Sequence, residues 1–184
     1  KTLEQQPEDW QNEIRTQIGY PQSKEEVLAG EAVEDQWIVL HKKSQKENEL
    51  NNDIYWLHGQ QSNRFAVYLS FTTPGSLPEY NLVPGSIYHA KLCFYKGVGN
   101  LRALFKECEL SGETYIPHFC SNLQEAASRY RETLQVNPFA ENVPILVENI
   151  RLSTQGKQLY IQDVNNERMP VQMQETTKTD ILAV

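Results

Sequence analysis

The sequence lacks the basic excess that marks a general nucleic-acid binder. Its 184 residues contain 17 Lys and Arg residues against 24 Asp and Glu residues, which gives a formal net charge of −7. Proteins that bind nucleic acid or acidic membranes through their whole surface usually displace counterions with basic clusters. The longest basic cluster, residues 41–46, contains three lysines and is interpreted as part of a solvated loop between strands.

Long apolar runs and paired cysteines are also missing. No stretch approaches the roughly 20 apolar residues of a membrane helix, and the opening "KTLEQQPEDW" has neither region of a signal peptide. Three cysteines, Cys93, Cys108 and Cys120, are an odd number without the spacing of a disulfide framework. We therefore expect a reduced, cytoplasmic protein without membrane association. Because the chain does not begin with methionine, we also expect it to be a piece of a longer protein.

Hydrophobic periodicity predicts two helices. The first spans about residues 8–18, where Trp10, Ile14 and Ile18 form one apolar stripe. The second spans about residues 122–136, and Ser121 with Gln124 has the pattern of a capping box at its start. Two acidic runs, at residues 25–26 and 31–35, are interpreted as solvated loops.

About five strands are predicted between the helices, and two or three follow the second one. The segments are residues 34–43, 53–59, 64–71, 86–95 (expected to be the longest), 101–110, 143–152 and 157–173, with turns at "STQG" and "NNER". Strands joined by short turns pair antiparallel. We expect one α+β domain over residues 1–184, a curved antiparallel sheet or partly open β-barrel with both helices packed on it. Residues 1–6 and 174–184 are expected to be loosely ordered.

The hairpin "WLHGQQSNRFAVYLSF", residues 56–71, concentrates aromatic side chains. Alternation places Phe65, Val67, Leu69 and Phe71 on one face, which we predict to be core. Binding candidates are Trp56, His58, Arg64 and Tyr68, with Lys91 or Arg102 adding charge from neighbouring strands. Such a set is typical of surfaces that stack single-stranded nucleic acid. Cross-strand aromatic pairs also stabilise sheets without any ligand, so an ordinary structural hairpin is the first interpretation.

Catalytic and metal motifs are sparse. The Gly-x-Gly at residues 97–99 is not followed by a helix and is interpreted as a hairpin turn. His118 and Cys120 form the only compact nucleophile–base pair, which leaves a hydrolase as an alternative. His89 and Cys93 share a strand face, but structural zinc needs four closely paired ligands. We expect no enzymatic activity.

Three segments carry a family resemblance. They are "IYWLHGQQSNRFAVYLSF", "LVPGSIYHAKLCFYKGVGNLRAL" and "VPILVENIRLSTQGKQLYIQDVNNERMPV". Over about residues 8–173 the chain resembles the region downstream of the zinc finger in bacterial SWIM zinc finger family proteins. Those proteins show a Trp-Leu-x-Gly-x-x-Ser-x-Arg-Phe-Ala run, then a Pro-Gly strand ending in Phe-Tyr and a Leu-Arg-Ala-Leu element. The matching residues are Trp56, Leu57, Gly59, Ser62, Arg64, Phe65, Ala66, Pro84, Gly85, Phe94, Tyr95 and residues 101–104.

The resemblance implies a non-catalytic accessory or interaction domain. The SWIM motif is Cys-x-Cys followed by Cys-x-His, whereas this chain has no Cys-x-Cys and carries His118 and Cys120 in the opposite order. No cofactor is therefore expected in this chain, and zinc is expected only in a finger N-terminal to Lys1. A Gly-rich segment continues the family beyond the position of Val184. AAA-type ATPases or von Willebrand A-domain proteins are the implied partners, with nucleic acid bound through the finger.

Overall fold

The computed structural model describes residues 2–47, 50–140 and 142–172. Contacts divide the chain into two compact units, Lys1–Tyr115 and Ile116–Val184, and each is described by itself. The predicted α+β class is confirmed, because helices accompany a five-stranded antiparallel sheet and a three-stranded sheet in the described ranges. A single domain over residues 1–184 stays a prediction. No helix among the described residues is long and apolar enough to cross a membrane.

The first unit is built on the larger sheet. After a 3-10 turn, Leu3–Gln5, and two helices come five strands in the order β3-β2-β1-β4-β5. Neighbouring strands all pair antiparallel. The two edge strands approach each other at one point, where Val67 N donates to Leu101 O at 2.7 Å, but the sheet is not closed into a barrel. The elements are α1 (Glu8–Gln17), α2 (Lys24–Leu28), β1 (Ala32–Glu47), β2 (Leu50–Gly59), β3 (Phe65–Thr72), β4 (Ile87–Phe94) and β5 (Ala103–Leu110).

One face of this sheet, the inner face, carries the main core. Cross-strand partners such as Tyr55 with Tyr68 and Leu57 with Ala66 bring buried side chains together. The indole of Trp37 donates to Ala90 O at 3.2 Å, which satisfies its only polar atom inside the core. The cluster comprises Trp37, Val39, Tyr55, Leu57, Ala66, Tyr68, Leu82, Tyr88, Ala90, Leu92, Ala103 and Phe105.

The predicted core face of β3 is wrong. Ala66, Tyr68 and Ser70 are buried, whereas Phe65, Val67 and Leu69 are half-buried and Phe71 is 56% exposed. Alternation defines two faces but does not say which one lies inside. The inner face already holds Trp37, Tyr55 and Phe105, so the small Ala66 and Ser70 fit beside Tyr68 there.

The loop predicted around residues 41–46 is also wrong, because these residues belong to β1. At 16 residues β1 is the longest strand, and β4, predicted to be the longest, has 8. Lys42 forms an ion pair of 2.9 Å with Asp53 on β2, and Ser44 donates to the same carboxylate. Cross-strand pairing thus holds a polar sequence in a strand.

Helix α1 forms where predicted, but its buried side chains are Asn12 and Glu13. Of the predicted stripe, Trp10 and Ile14 are half-buried and Ile18 is 61% exposed. Glu13 lies against the β4–β5 turn, where a Cβ on Gly97 would stand 2.8 Å from Glu13 Oε2. The turn glycine therefore permits the close approach of the helix.

Both acidic runs lie in regular structure, which corrects their interpretation as loops. Glu25 and Glu26 belong to α2, where Ser23 and Glu26 form a capping box. Residues 32–35 belong to β1, and Asp35 is buried. A helix of five residues is too short to show the periodicity on which its prediction depends.

The second unit contains α3 (Leu123–Val136), β6 (Arg151–Gln155), β7 (Gln158–Gln162) and β8 (Arg168–Val171). The predicted helix is confirmed, but its N-cap is Asn122 rather than Ser121. The buried carboxylate of Asp163 accepts from Leu123 N at 2.9 Å, which ties the β7–β8 turn to the helix start. The strand predicted from residue 143 begins at Arg151, and the turn predicted at "STQG" lies at residues 156–157. Residues 174–184 lie outside the described residues.

Candidate binding site

The structure does not bring the four predicted binding residues to one surface. Trp56 lies opposite Val67 on β3 and His41 on β1, so it belongs to the outer face of the sheet. Tyr68 lies opposite Tyr55 and is buried in the inner core. Arg64 lies at the inner rim, with its guanidinium carbon 3.9 Å from the ring centroid of Phe94. Their roles in binding stay predictions, but they do not form a joint platform.

His58, the fourth candidate, is enclosed at the end of the hairpin, with only 3% of its surface exposed. Its Nδ1 lies 2.9 Å from Tyr115 Oη, and Nε2 lies 3.1 Å from Asn63 Oδ1. Burial lowers the pKa of His58, and the charge of Asp35 offsets only part of that effect.

The tautomer of this neutral ring follows from the hydroxyl beside it. The Tyr115 hydroxyl donates its single proton to His58 O. Nδ1 then carries the ring proton and donates to Tyr115 Oη, which leaves Nε2 as an acceptor. Nε2 accepts a hydrogen bond from Asn63 when the Asn63 amide is oriented with its NH₂ group toward the ring. His58 therefore holds the hairpin end together.

Asp35, which the sequence did not single out, holds the turn between β2 and β3. Its carboxylate accepts from the backbone amides of Gln36, Gln61 and Ser62 at 2.7, 3.0 and 2.8 Å. Burial by itself raises the pKa of Asp35, but hydrogen bonds from Ser62, Gln61 and Gln36 outweigh it and hold that pKa below its usual range. A Cβ on Gly59 would stand 2.5 Å from Asp35 Oδ2. Gly59 and Ser62 thus serve the geometry of this turn.

The His118–Cys120 pair does not have the arrangement of an activated nucleophile. His118 is exposed, whereas Cys120 is a free thiol with 1% of its surface exposed. Burial raises the pKa of Cys120, which favours the unreactive protonated thiol. Among the described residues, no hydrogen bond joins the two side chains, and no group of three His, Cys, Asp or Glu residues has the geometry of a metal site.

A cleft of about 290 Å³, here called the edge cleft, opens beside β3. The Phe105 ring is 4.9 Å from that of Tyr68 and 5.0 Å from that of Tyr80, so one wall is aromatic. Burial raises the pKa of Tyr68 to about 12, so its hydroxyl stays protonated. The lining consists of Lys24, residues 68–71, Glu79, Tyr80, Tyr95, Arg102, Leu104 and Phe105.

Arg102 is the unusual member of the edge cleft. Its guanidinium carbon lies 4.4 Å from the ring centroid of Tyr95. Its Nε is buried and has no hydrogen-bond partner in the part of the chain that the structure describes. The sequence suggested Arg102 only as a source of charge for the hairpin. Its position depends on the approach of β3 to β5, which no local pattern signals.

Comparisons of the chain with protein-family models, with curated proteins and with solved structures found no match. The similarity to the SWIM region therefore stays an interpretation of the three quoted segments.

Proposed function

We propose that this chain is a non-catalytic accessory domain that binds other proteins, as the resemblance to bacterial SWIM zinc finger proteins implies. The observation that carries the proposal is a strip of apolar side chains on the outer face of the β2–β3 hairpin, each of them half-buried or exposed. This outer hairpin face consists of Ile54, Trp56, Phe65, Val67, Leu69 and Phe71. Contiguous exposed apolar patches commonly mark sites of protein interaction.

The buried polar groups support the same proposal. The hydrogen bonds of His58 and Asp35 stabilise the hairpin end, and that of Asp163 joins the β7–β8 turn to the start of α3. A general acid or base needs a pKa near the working pH together with access to a substrate. These three groups serve the fold, and the raised pKa of Cys120 disfavours a thiolate.

The proposed partners are cytoplasmic proteins, with an AAA-type ATPase or a von Willebrand A-domain protein as the first to test. The net charge of −7 agrees better with a protein partner than with a general nucleic-acid target. Zinc belongs to the proposal only through a finger outside this chain.

Isothermal titration calorimetry with such an ATPase and A-domain protein from the same organism tests the proposal. We expect Trp56→Ala to weaken binding at least about 30-fold, which corresponds to roughly 2 kcal/mol for a hot-spot aromatic. Leu77→Ala is the control, because Leu77 is 92% exposed but lies in the β3–β4 loop. The absence of binding to either protein, or equal losses in both variants, would contradict the proposal.

A single-stranded nucleic-acid surface is the second candidate. It is favoured by His41 and Lys43 on β1, which lie opposite Trp56 and Ile54. Fluorescently labelled single- and double-stranded oligonucleotides, titrated at low and moderate salt, test this candidate on the chain and on a longer one that includes the finger. Binding by the chain alone that falls with salt and with Trp56→Ala would support it. Binding only by the longer chain would assign the contact to the finger.

A further inference from the structure

The edge cleft lies where two edge strands separate. β3 and β5 are the outermost strands of the sheet, and they approach each other at a parallel bridge between Val67 of β3 and Arg102, the residue before β5. Beyond that bridge, no backbone hydrogen bond joins β3 to β5 within the described ranges. Residues 68–71 then line one side of the cleft, and Leu104 and Phe105 line the other.

The main chain of β3 presents hydrogen-bonding groups to this opening. Arg64 O accepts from Gly59 N, so Arg64 points its backbone groups toward β2, whereas Val67 N points to Leu101. Backbone groups alternate along a strand. Leu69 and Phe71 therefore direct their N–H and C=O groups away from β2, toward the edge. Unpaired edges of this kind are templates for an added strand.

The cleft also holds a cation without a counter-ion. Lys24 and Arg102 are the two cationic side chains that line the edge cleft. Lys24 forms an ion pair of 3.3 Å with Glu79 at the rim. Arg102 has no carboxylate partner among the described residues. Stacking on Tyr95 holds the guanidinium in place. A buried polar atom without a partner has a desolvation cost that an incoming acceptor relieves.

We propose that the edge cleft binds an extended peptide strand that pairs with the free edge of β3 and places a carboxylate side chain on Arg102. The inference rests on the proposed function, since it names the chemistry of one protein contact of this domain. Main-chain pairing supplies affinity in such additions, and pockets for alternate side chains supply specificity. Apolar side chains of the peptide lie against the aromatic wall of Tyr68, Tyr80 and Phe105.

Charge and size favour this occupant over others. Lys24 at the rim is already paired with Glu79, so Arg102 is the cation of the cleft that remains for an acidic side chain. A volume of about 290 Å³ is at the lower limit of small-molecule sites, which run from about 300 to 1,000 Å³. It suits one or two side chains of a strand whose backbone lies along β3.

Fluorescence anisotropy with labelled peptides tests the inference on the whole chain. The probes are acetylated and amidated peptides of about seven residues, alternating threonine and valine, each with one glutamate at a different position. A second set carries glutamine instead. We expect at least one glutamate peptide to bind about tenfold more tightly than its glutamine partner, as loss of a charge-assisted hydrogen bond predicts.

Arg102→Gln should abolish that tenfold preference, whereas Arg131→Gln should retain it. Arg131 is a matched control because it carries the same charge and does not line the edge cleft. Equal affinity of the two peptide sets for the wild-type chain, or a preference that survives in Arg102→Gln, would overturn the inference.

Amide NMR locates the peptide. On binding, the N–H signals of Leu69 and Phe71 should shift and exchange more slowly with solvent, and methylation of alternate peptide nitrogens should remove the effect. Signals that change only elsewhere would overturn the assignment to β3. The peptides are titrated against this chain alone, so failure to find an ATPase or A-domain partner contradicts the proposed function without affecting this result.

Discussion

The two halves of the outer face of the large sheet are covered differently. On β4 and β5, Cys93 and Leu104 are buried beneath Val27 of α2, and Tyr95 joins them in a second apolar cluster. On β2 and β3, the outer hairpin face stays half-buried, and Phe71 is largely exposed. One short helix thus converts the Cys93 and Leu104 end of that half into core.

The difference shows how apolar residues of the outer face reach two outcomes. Cys93 and Leu104 pack against a helix, whereas the outer hairpin face stays half-buried. The two halves also differ in their other side chains, because the outer face of β4 carries His89 and Lys91, which pair with Glu34 and Glu107. Ser23 starts α2 with a capping box, and Val27 follows at the position that meets Cys93 and Leu104. Where no such helix packs, the apolar strip keeps the character of a contact surface. The proposed function depends on that partly exposed half.

A leucine on each face of the hairpin gives the largest expected contrast. Leu57 is fully buried on the inner face, whereas Leu69 is half-buried on the outer hairpin face. We expect Leu57→Ala to lower the free energy of unfolding by about 2–5 kcal/mol because it leaves a cavity in the core. Leu69→Ala should cost less than about 1.5 kcal/mol, since only part of its surface is removed from water. Urea denaturation monitored by tryptophan fluorescence compares the two. Equal losses would contradict the assignment of the faces.

The cover provided by α2 gives the next effect. Val27→Ala should lower the free energy of unfolding by about 1–3 kcal/mol and should speed the labelling of Cys93 by N-ethylmaleimide. Cys93 is buried beneath α2, with its Sγ 4.0 Å from Leu28 O and Gly30 O. Peptide mass spectrometry reads each cysteine separately.

Two controls accompany this measurement. Cys120 is an internal reference for the labelling, because it is buried in the second unit. Val83→Ala controls for the substitution, because Val83 is more than half exposed. Unchanged labelling of Cys93 in a destabilised Val27→Ala protein would show that α2 does not seal this half of the face.

The sequence could predict the elements whose signals are local. Helix α1 begins beside Pro7 and two acidic residues, and the turn between β2 and β3 carries serine and asparagine, so both were located correctly. The polar half of β1 could not be predicted, because Lys42 and Ser44 become strand residues through Asp53 on a different strand.

The site was harder to predict than the fold because it depends on nonlocal contacts. Whether Trp56 and Tyr68 share a face is decided by the register of β2 against β3, which a sequence alternation of period two leaves open. The importance of Arg102 depends on the bridge that brings β3 to the start of β5. The sequence shows which residue types are present, but their arrangement depends on the pairing of strands that are distant in the sequence.

His58 gives the smallest expected effect on stability. It lies at the hairpin end, beside the partly exposed half of the outer face, and is itself buried. At pH 8 we expect His58→Gln to be less stable than wild type by about 0.5–1.5 kcal/mol for each hydrogen bond lost with Asn63 and Tyr115. Burial lowers the pKa of His58 in the folded protein, so the unfolded chain takes up its proton first as the pH falls below about 6.5. The wild-type protein therefore loses stability in that window.

The gap between wild type and His58→Gln should accordingly narrow from pH 8 to pH 5 in urea denaturation. His118→Gln is the control, because His118 is exposed and its removal should leave the pH dependence of the wild-type protein in place. A gap that stays constant or widens as the pH falls would mean that His58 is protonated at least as readily in the folded protein as in the unfolded one. The hairpin end would then be open to solvent, and the half of the outer face without α2 would extend to include His58.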